Sequence, residues 1–433
     1  MVYKESRFNI VIDRDPHKGV LIANSYTNKH DWLPEDDYNI IHEHEQVADG
    51  DVTWQMISNG FVVDYNTDEV NRFLVESDKH NHNEMANTLA FVIAPTMSCN
   101  YNCTYCFEKN LGSICNSFMS DETIQDTIQF IKRMSKRYPR TKNIQIKWFG
   151  GEPLLHIDAI EKIVNGIRKD FANEDDIRIG QTVITNGRYL TLENAKRLNA
   201  LGIVNVQIPI DGLPETYAKM KGCSVDDFHA VVENMKACQD FMRISIRVNV
   251  SDYNKHEIID LIDYLDNEGV NALLYTEWVQ TYTEDSEGKT KVDTDDYNKI
   301  LHDTVHYINK EKKHIKRPVQ YPVKCYGCEG CLENHWCIAA DGGIYRCEHI
   351  INDKRFISGD VKHGLLKKSL DHIWMEPLIP DKCRQCVLLP RCLIKCITDR
   401  DIEHIEPNCE FLIENYKETV RLHRSFGRHQ FNC

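Results

Sequence analysis

The chain has 433 residues, and 66 acidic against 52 basic side chains leave a formal charge of −14. That length points to two or three domains, and the acidic balance argues against a nucleic-acid groove, a local basic patch aside. No apolar run is long enough to cross a bilayer and none at the start has signal-peptide character, so the 17 cysteines point to a reducing cytoplasm and metal ligation, not disulfides.

The first 85 or so residues contain no cysteine. Their patterning predicts strands over Arg7–Asp13 and Gly19–Ser25, helices over Pro34–His44 and Val52–Ser58, a strand over Phe61–Asp64 and a helix over Thr67–Asp78. Beyond them the pattern becomes strand then helix, repeated. Strands begin near Leu89, Asn143, Gln181, Val204, Ile244 and Ala272. Amphipathic helices fill the gaps over Asp121–Tyr138, His156–Asn173, Thr191–Leu201, Asp226–Met242 and Lys255–Glu268, with a sixth over Asp295–Lys312. Six such units predict an α/β fold with a parallel sheet, read here as a partial (β/α)6 TIM-like barrel with its chemistry at the C-terminal strand ends. Residues from about 280 to 325, with the polar stretch Thr281–Asp293, read as a bridge to a cysteine-rich region. The expected boundaries are 1–85, 86–315 and 316–433.

Three cysteines lie in the run Cys99-Asn-Tyr-Asn-Cys103-Thr-Tyr-Cys106. Three thiolates on one short loop can hold three irons of a 4Fe–4S cubane, leaving the fourth iron free for a small molecule. Zinc would want four closed ligands, usually as paired CxxC units. The arrangement resembles the CxxxCxxC signature of the radical SAM superfamily, in which the fourth iron chelates the amino and carboxylate groups of S-adenosylmethionine. The resemblance implies reductive cleavage of the sulfonium to a 5′-deoxyadenosyl radical.

Other residues fit the same family. Gly150-Gly151-Glu152-Pro153 ends the strand-like run Asn143–Phe149 and matches the family's GGEP element, which implies binding of the cofactor's methionine amino group. Two glycines let backbone approach a ligand closely, and Glu152 offers an acceptor to an ammonium. Tyr105 takes the aromatic position that contacts adenine in the family, with loop packing as the plain alternative. Thr185, Asn186, Asp211, Arg247 and Asn249 lie on later strands or at their ends, where they could reach the ribose or carboxylate or could cap those ends. Glu277, on the sixth strand, faces the cofactor or substrate or else forms a buried pair with an arginine.

Eleven cysteines follow residue 320. Cys383, Cys386, Cys392 and Cys396 are spaced CxxCx5CxxxC, Cys409 follows, and Cys331 and Cys347 flank Gly342 upstream. The composite resembles the SPASM domain, which carries auxiliary 4Fe–4S clusters in radical SAM enzymes that modify peptides and proteins; zinc ribbons are the alternative for CxxC pairs. The resemblance implies one cluster on Cys383, Cys386, Cys392 and Cys409. It implies another on Cys331, Cys347 and Cys396, with Cys325 as fourth ligand, Cys328 and Cys337 as competitors, or that iron left open. Cys115, Cys223, Cys238 and Cys433 default to packing roles. Glu348 stands where the sulfatase-maturing branch has an aspartate that takes a proton from substrate, which makes it the candidate catalytic residue; His349 and an ordinary surface loop are the alternatives.

The N-terminal region resembles the small winged-helix element that adds a precursor's leader as a strand on an open sheet edge; a structural cap on the barrel is the alternative. The expected function is therefore cytoplasmic, oxidative cross-linking of a ribosomally made precursor peptide by a radical SAM enzyme. It would use three 4Fe–4S clusters and S-adenosylmethionine, with a flavodoxin or ferredoxin as electron donor and no nucleic-acid or membrane partner. A formylglycine-forming sulfatase maturase is the rival, disfavoured because about 98 residues precede Cys99. A non-catalytic iron–sulfur carrier is the rival of another class, and Gly150–Pro153 argues against it.

Overall fold

The computed structural model describes residues 1–83, 85–108, 117–172, 177–279, 293–317, 324–366, 372–392, 396–398 and 409–426. Cys115, Cys433 and residues 281–292 of the polar stretch lie outside them. The chain divides into one unit of Met1–Asn83, Pro318–Leu332 and Glu376–Cys433, and another of Glu84–Arg317 and Glu333–Met375.

The first unit holds two three-stranded antiparallel sheets. In one, β1 (Val2–Glu5) lies between β5 (Val47–Ala48) and β6 (Val62–Asp64); in the other, β3 (Gly19–Asn24) lies between β2 (Asn9–Asp15) and β4 (Lys29–Leu33). Helices α1 (Glu35–Glu43), α2 (Trp54–Asn59) and α3 (Glu69–Asn81) join them. The short β1, the polar β4 and the two-residue β5 have no counterpart in the sequence reading, since none is long or alternating enough to stand out. Every residue of β3 is buried, since each face of that strand meets a different layer. Val20 and Ile22 pack with Tyr38, Ile41 and Phe61. Leu21 and Ala23 pack instead with Leu388, Tyr416 and Val420 from the C-terminal segments, and Phe8 and Phe73 pack with Leu389. The N-terminal elements and the last cysteine-bearing segments thus share their cores.

The second unit is built on β7 (Thr88–Ile93), β8 (Asn143–Trp148), β9 (Arg178–Ile184), β10 (Asn205–Pro209), β11 (Arg243–Val250) and β12 (Ala272–Trp278). These pair in parallel in chain order, as the repeated strand–helix pattern requires. The covering helices are α4 (Asp121–Arg137), α5 (Ile157–Asp170), α6 (Leu192–Ala200), α7 (Pro214–Lys221), α8 (Val225–Cys238), α9 (Ile258–Asn267) and α10 (Thr294–Glu311). Only α7 has no counterpart in the sequence reading. Side-chain caps set several starts: Ser120, Thr191 and Ser224 each accept a backbone N–H from the first turn of α4, α6 and α8.

One strand face is apolar, with Ile146, Trp148, Ile208, Ile246 and Leu274 buried. The alternate positions carry Lys147, Gln207, Arg247, Tyr275 and Glu277. A parallel sheet covered on both faces would be apolar on both; here one face is kept for polar work.

The sheet continues past both ends of the predicted six. Beyond β12 lies β13 (Ile315–Lys316), and beyond β7 lies β14 (His335–Ile338), followed by β15 (Gly343–Tyr345), β16 (Gly359–Asp360) and β17 (Gly364–Leu365). The span 316–433 is consequently divided between the units. The reason is physical: β14 is buried throughout and hydrogen-bonds the free edge of β7 in parallel, and Trp336 stacks on Phe91 at 5.3 Å. Among the described residues no helix is long and apolar enough to cross a membrane.

Candidate active site

The cysteine loop leaves β7, and the turn after β8 crosses it. Gly151 N–H donates to Thr96 O at 3.2 Å and Glu152 N–H to Ser98 O at 2.8 Å. A side chain on Gly151 would strike Ser98 O and would sit 2.6 Å from Met97 O; one on Gly150, which holds φ +103, would strike Thr96 O. The two glycines are thus required by the cysteine loop itself, a reason beyond approach to a ligand. Within the loop, Tyr101 N–H donates to Cys99 Sγ and Cys106 N–H to Cys103 O, both at 3.4 Å. Cys99 reaches the surface, yet the protein around its sulfur raises the thiol to about 12. Such a group gives up its proton to a metal far more readily than to water.

Glu152 has no exposed surface. Its carboxylate accepts from Thr185 Oγ1 at 2.7 Å, Asn186 N–H at 2.8 Å and Leu154 N–H at 3.0 Å. Burial still pushes its pKa up to about 7 against those three donors. A cationic group placed beside it would return it to the charged form. Asn186 also donates through Nδ2 to Asn100 Oδ1 at 2.8 Å, tying the end of β9 to the cysteine loop.

Tyr105, Asp211 and Asn249 converge, and they do so on one another. Tyr105 Oη donates to Asp211 Oδ2. Asp211 Oδ1 accepts from Asn249 N–H at 2.9 Å and from Asn249 Nδ2 at 3.0 Å. Arg247 Nε donates to Asn249 Oδ1 at 2.9 Å. Lys221 joins this network and was not marked by any spacing in the sequence; its ammonium lies 2.6 Å from Asp211 Oδ2.

On the polar strand face, Lys147 Nζ reaches Glu348 Oε2 at 3.2 Å, with both side chains half-buried. Glu108, two residues past Cys106, is raised to about 7 by burial and then by Glu348; sequence reading passed over it. Phe107 stacks on Phe149 at 6.3 Å and meets His349 at 4.8 Å. Tyr275 Oη donates to Gln207 Oε1 at 2.8 Å. Glu277 is exposed on β12, and its charge raises the pKa of the buried Arg317 against the lowering by burial.

The first unit gathers Cys325 and Cys383 around Phe8, Phe73 and Leu389, and Cys386 beside Leu388 and Tyr416. Cys328 Sγ lies 3.7 Å from Cys331 Sγ. Cys392 ends a short helix, Cys409 begins the closing helix Cys409–Phe426, and Cys396 lies between them. Cys347 and Cys337 belong to the second unit; Cys337 is fully buried in β14 opposite Val92. Among the described residues no three His, Cys, Asp or Glu side chains are gathered for a single metal ion. A cubane asks for something different, one thiolate per iron, and three thiols on the 99–106 loop beside a buried Glu152 suit a cluster with an amine-bearing ligand.

Residues 93–265 match the radical SAM superfamily. The chain is 22% identical over 241 residues to the radical SAM cyclopropyl synthase TigE of Paramaledivibacter caminithermalis, covering 52% of this chain and 50% of that protein. It is 22% identical over 361 residues to a cysteine-type anaerobic sulfatase-maturating enzyme of Clostridium perfringens, covering 76% of this chain and 95% of the relative. The structure of Streptococcus suis SuiB bound to S-adenosylmethionine aligns with a TM-score of 0.53 at 15% identity, over 94% of this chain and 99% of that one. That likeness shows the fold. The chain spans half or less of the length of the first three curated relatives it matches.

Proposed function

This chain carries a radical SAM domain over residues 93–265, and on that premise we propose that it modifies a ribosomally made precursor peptide by oxidative cross-linking. The observation that carries the reading is the interlock of the Cys99–Cys106 loop with Gly150, Gly151 and the buried Glu152. Cys99, Cys103 and Cys106 would hold the cluster and Glu152 the cofactor's amino group, with Tyr105, Thr185, Asn186, Asp211, Arg247 and Asn249 around them. When bound, cluster and S-adenosylmethionine supply a 5′-deoxyadenosyl radical that takes a hydrogen atom from the peptide. Glu348, held by Lys147, accepts the proton released as the new bond forms. The C-terminal cysteines would hold auxiliary clusters that supply an acceptor for the remaining electron: Cys383, Cys386, Cys392 and Cys409 one of them, and Cys331, Cys347 and Cys396 another, with Cys325, Cys328 or Cys337 as fourth ligand or that iron left open.

In this reading the antiparallel sheets of the first unit receive the precursor's leader on an edge strand. A flavodoxin or ferredoxin in the cytoplasm supplies the electron. The product is a peptide two hydrogens lighter, with a thioether favoured over a carbon–carbon link. Formylglycine formation is the second reading, favoured by the extent of the sulfatase-maturating relative that the chain covers and by the position of Glu348.

Tandem mass spectrometry of the product, with and without thiol alkylation, tests both. Loss of two hydrogens and of one alkylatable thiol is expected. A product that reacts as an aldehyde supports formylglycine, and a methylated product overturns the oxidative reading. No cleavage of S-adenosylmethionine by the reconstituted, reduced protein would leave a non-catalytic iron–sulfur role.

A further inference from the structure

Lys221, the last residue of α7, is 2% exposed, a degree of burial that lysine rarely tolerates without a partner. Its ammonium lies 2.6 Å from Asp211 Oδ2 and donates to Tyr105 Oη at 2.5 Å. Its backbone carbonyl accepts Asn102 N–H at 3.0 Å, and the carbonyl of Met220 accepts Thr104 N–H at 2.9 Å. Gly222, next in the chain, holds φ +61, and a side chain there would lie 2.5 Å from Asn102 O. Three consecutive residues at one helix end therefore grip Asn102, Thr104 and Tyr105, which surround Cys103 and precede Cys106. Burial alone would lower the lysine's pKa, but the Asp211 carboxylate holds it above the ordinary value. The phenol of Tyr105 is satisfied by Asp211, Lys221 and Asn249, which leaves its ring as the part offered to a ligand.

We propose that Lys221 is a positioning residue for the cysteine loop, its ammonium and the terminal carbonyls of α7 fixing the segment around Cys103 and Cys106 before any metal arrives. The inference rests on reading that loop as the cluster site, but its first readout does not need the cluster. Full-length parent protein is compared with Lys221→Met, Lys221→Arg and the double variant Lys221→Met with Asp211→Asn. In the metal-free proteins, alkylation of Cys103 and Cys106 should quicken about tenfold on loss of the ammonium, the factor that one charge-assisted hydrogen bond carries. The buried Cys238 serves as internal reference, and Lys221→Arg should stay near the parent.

After anaerobic reconstitution, Lys221→Met should raise KM for S-adenosylmethionine and weaken the part of the reduced-cluster electron paramagnetic resonance signal that responds to it. If Lys221→Met alone unfolds, the double variant, which leaves no unpaired buried carboxylate, gives the readout. A folded double variant with parent alkylation rates and parent iron on the loop would overturn the proposal, as would equal acceleration at Cys238. Faster alkylation in a protein whose loop never takes iron would uphold the positioning role and sink the proposed function instead.

Discussion

The two units bring reactive side chains together in opposite ways. In the second, each motif rides at the end of its own strand, and β7 to β12 lie side by side in chain order, so Cys99, Glu152, Thr185, Asp211 and Asn249 reach one end of the sheet by local rules. In the first, Cys325, Cys383 and Cys386 sit in segments whose apolar partners come from the other end of the chain. Ile10, Ile12 and Leu21 pack with Leu388, and Phe8 with Leu389. A site of the first kind should survive distant changes. One of the second kind should not.

The sharpest break of that comparison is removal of the cysteine triad. Cys99→Ala, Cys103→Ala and Cys106→Ala together should abolish S-adenosylmethionine cleavage and remove about four of roughly twelve irons per chain, leaving the C-terminal clusters. Iron analysis and deoxyadenosine assays check it; tightly bound zinc in place of the remaining iron would contradict the cluster assignment in the first unit.

Deleting residues 1–80 should act the other way. It uncovers Leu388, Leu389, Tyr416 and Val420, each worth roughly 1.5–3 kcal/mol when buried, a sum comparable with the whole stability of a domain. The truncated protein should therefore lose C-terminal iron as well as precursor affinity while keeping the loop cluster. Full iron with weakened precursor binding would mean that the N-terminal elements are a separable recognition module.

Glu152 gives a pH test confined to the second unit. A carboxylate raised to about 7 in the folded protein favours the protonated form there, so stability is lost as pH climbs from the unfolded value to 7. In metal-free protein that loss should be roughly 3 kcal/mol by pH 8. Thermal melts of Glu152→Gln should show a flatter profile from pH 5 to pH 8; an unchanged slope would contradict the assignment. Gly151→Ala should cost about 1–3 kcal/mol by overpacking against residues 97 and 98, and should raise KM for S-adenosylmethionine even at temperatures where the protein is folded.

The smallest effect is expected in the first unit, at a surface pair between its distant segments. Arg421 lies 3.1 Å from Asp13, both partly exposed, and Asp13→Asn should cost less than about 1 kcal/mol in a salt-sensitive way. A larger loss in denaturant melts would mean that the first unit depends on electrostatics more than on packing.

Much of the second unit was legible because its rules are local. Strand starts near Leu89, Asn143 and Ala272 fall within a residue of those observed, since apolar alternation and helix caps lie within a few residues of what they specify. The Gly150–Glu152 element was legible as a site, but its clash-driven need for glycine was not, because the carbonyls of Met97 and Ser98 that impose it lie some fifty positions away. Lys221 was invisible for the same reason: a lone lysine reads as surface until Asp211 and Tyr105 are seen beside it.

The sequence by itself determined the alternating strand–helix order, the cysteine loop and the chemistry that three clustered thiols can support, because spacing and side-chain type carry that information directly. Only the tertiary structure decided that β14 would close the edge of β7, that residues 316–433 would divide between two units, and that the N-terminal strands would share a core with Leu388 and Val420. Those outcomes depend on which buried faces fit together across hundreds of residues, and neither pattern nor propensity records the partner of a face.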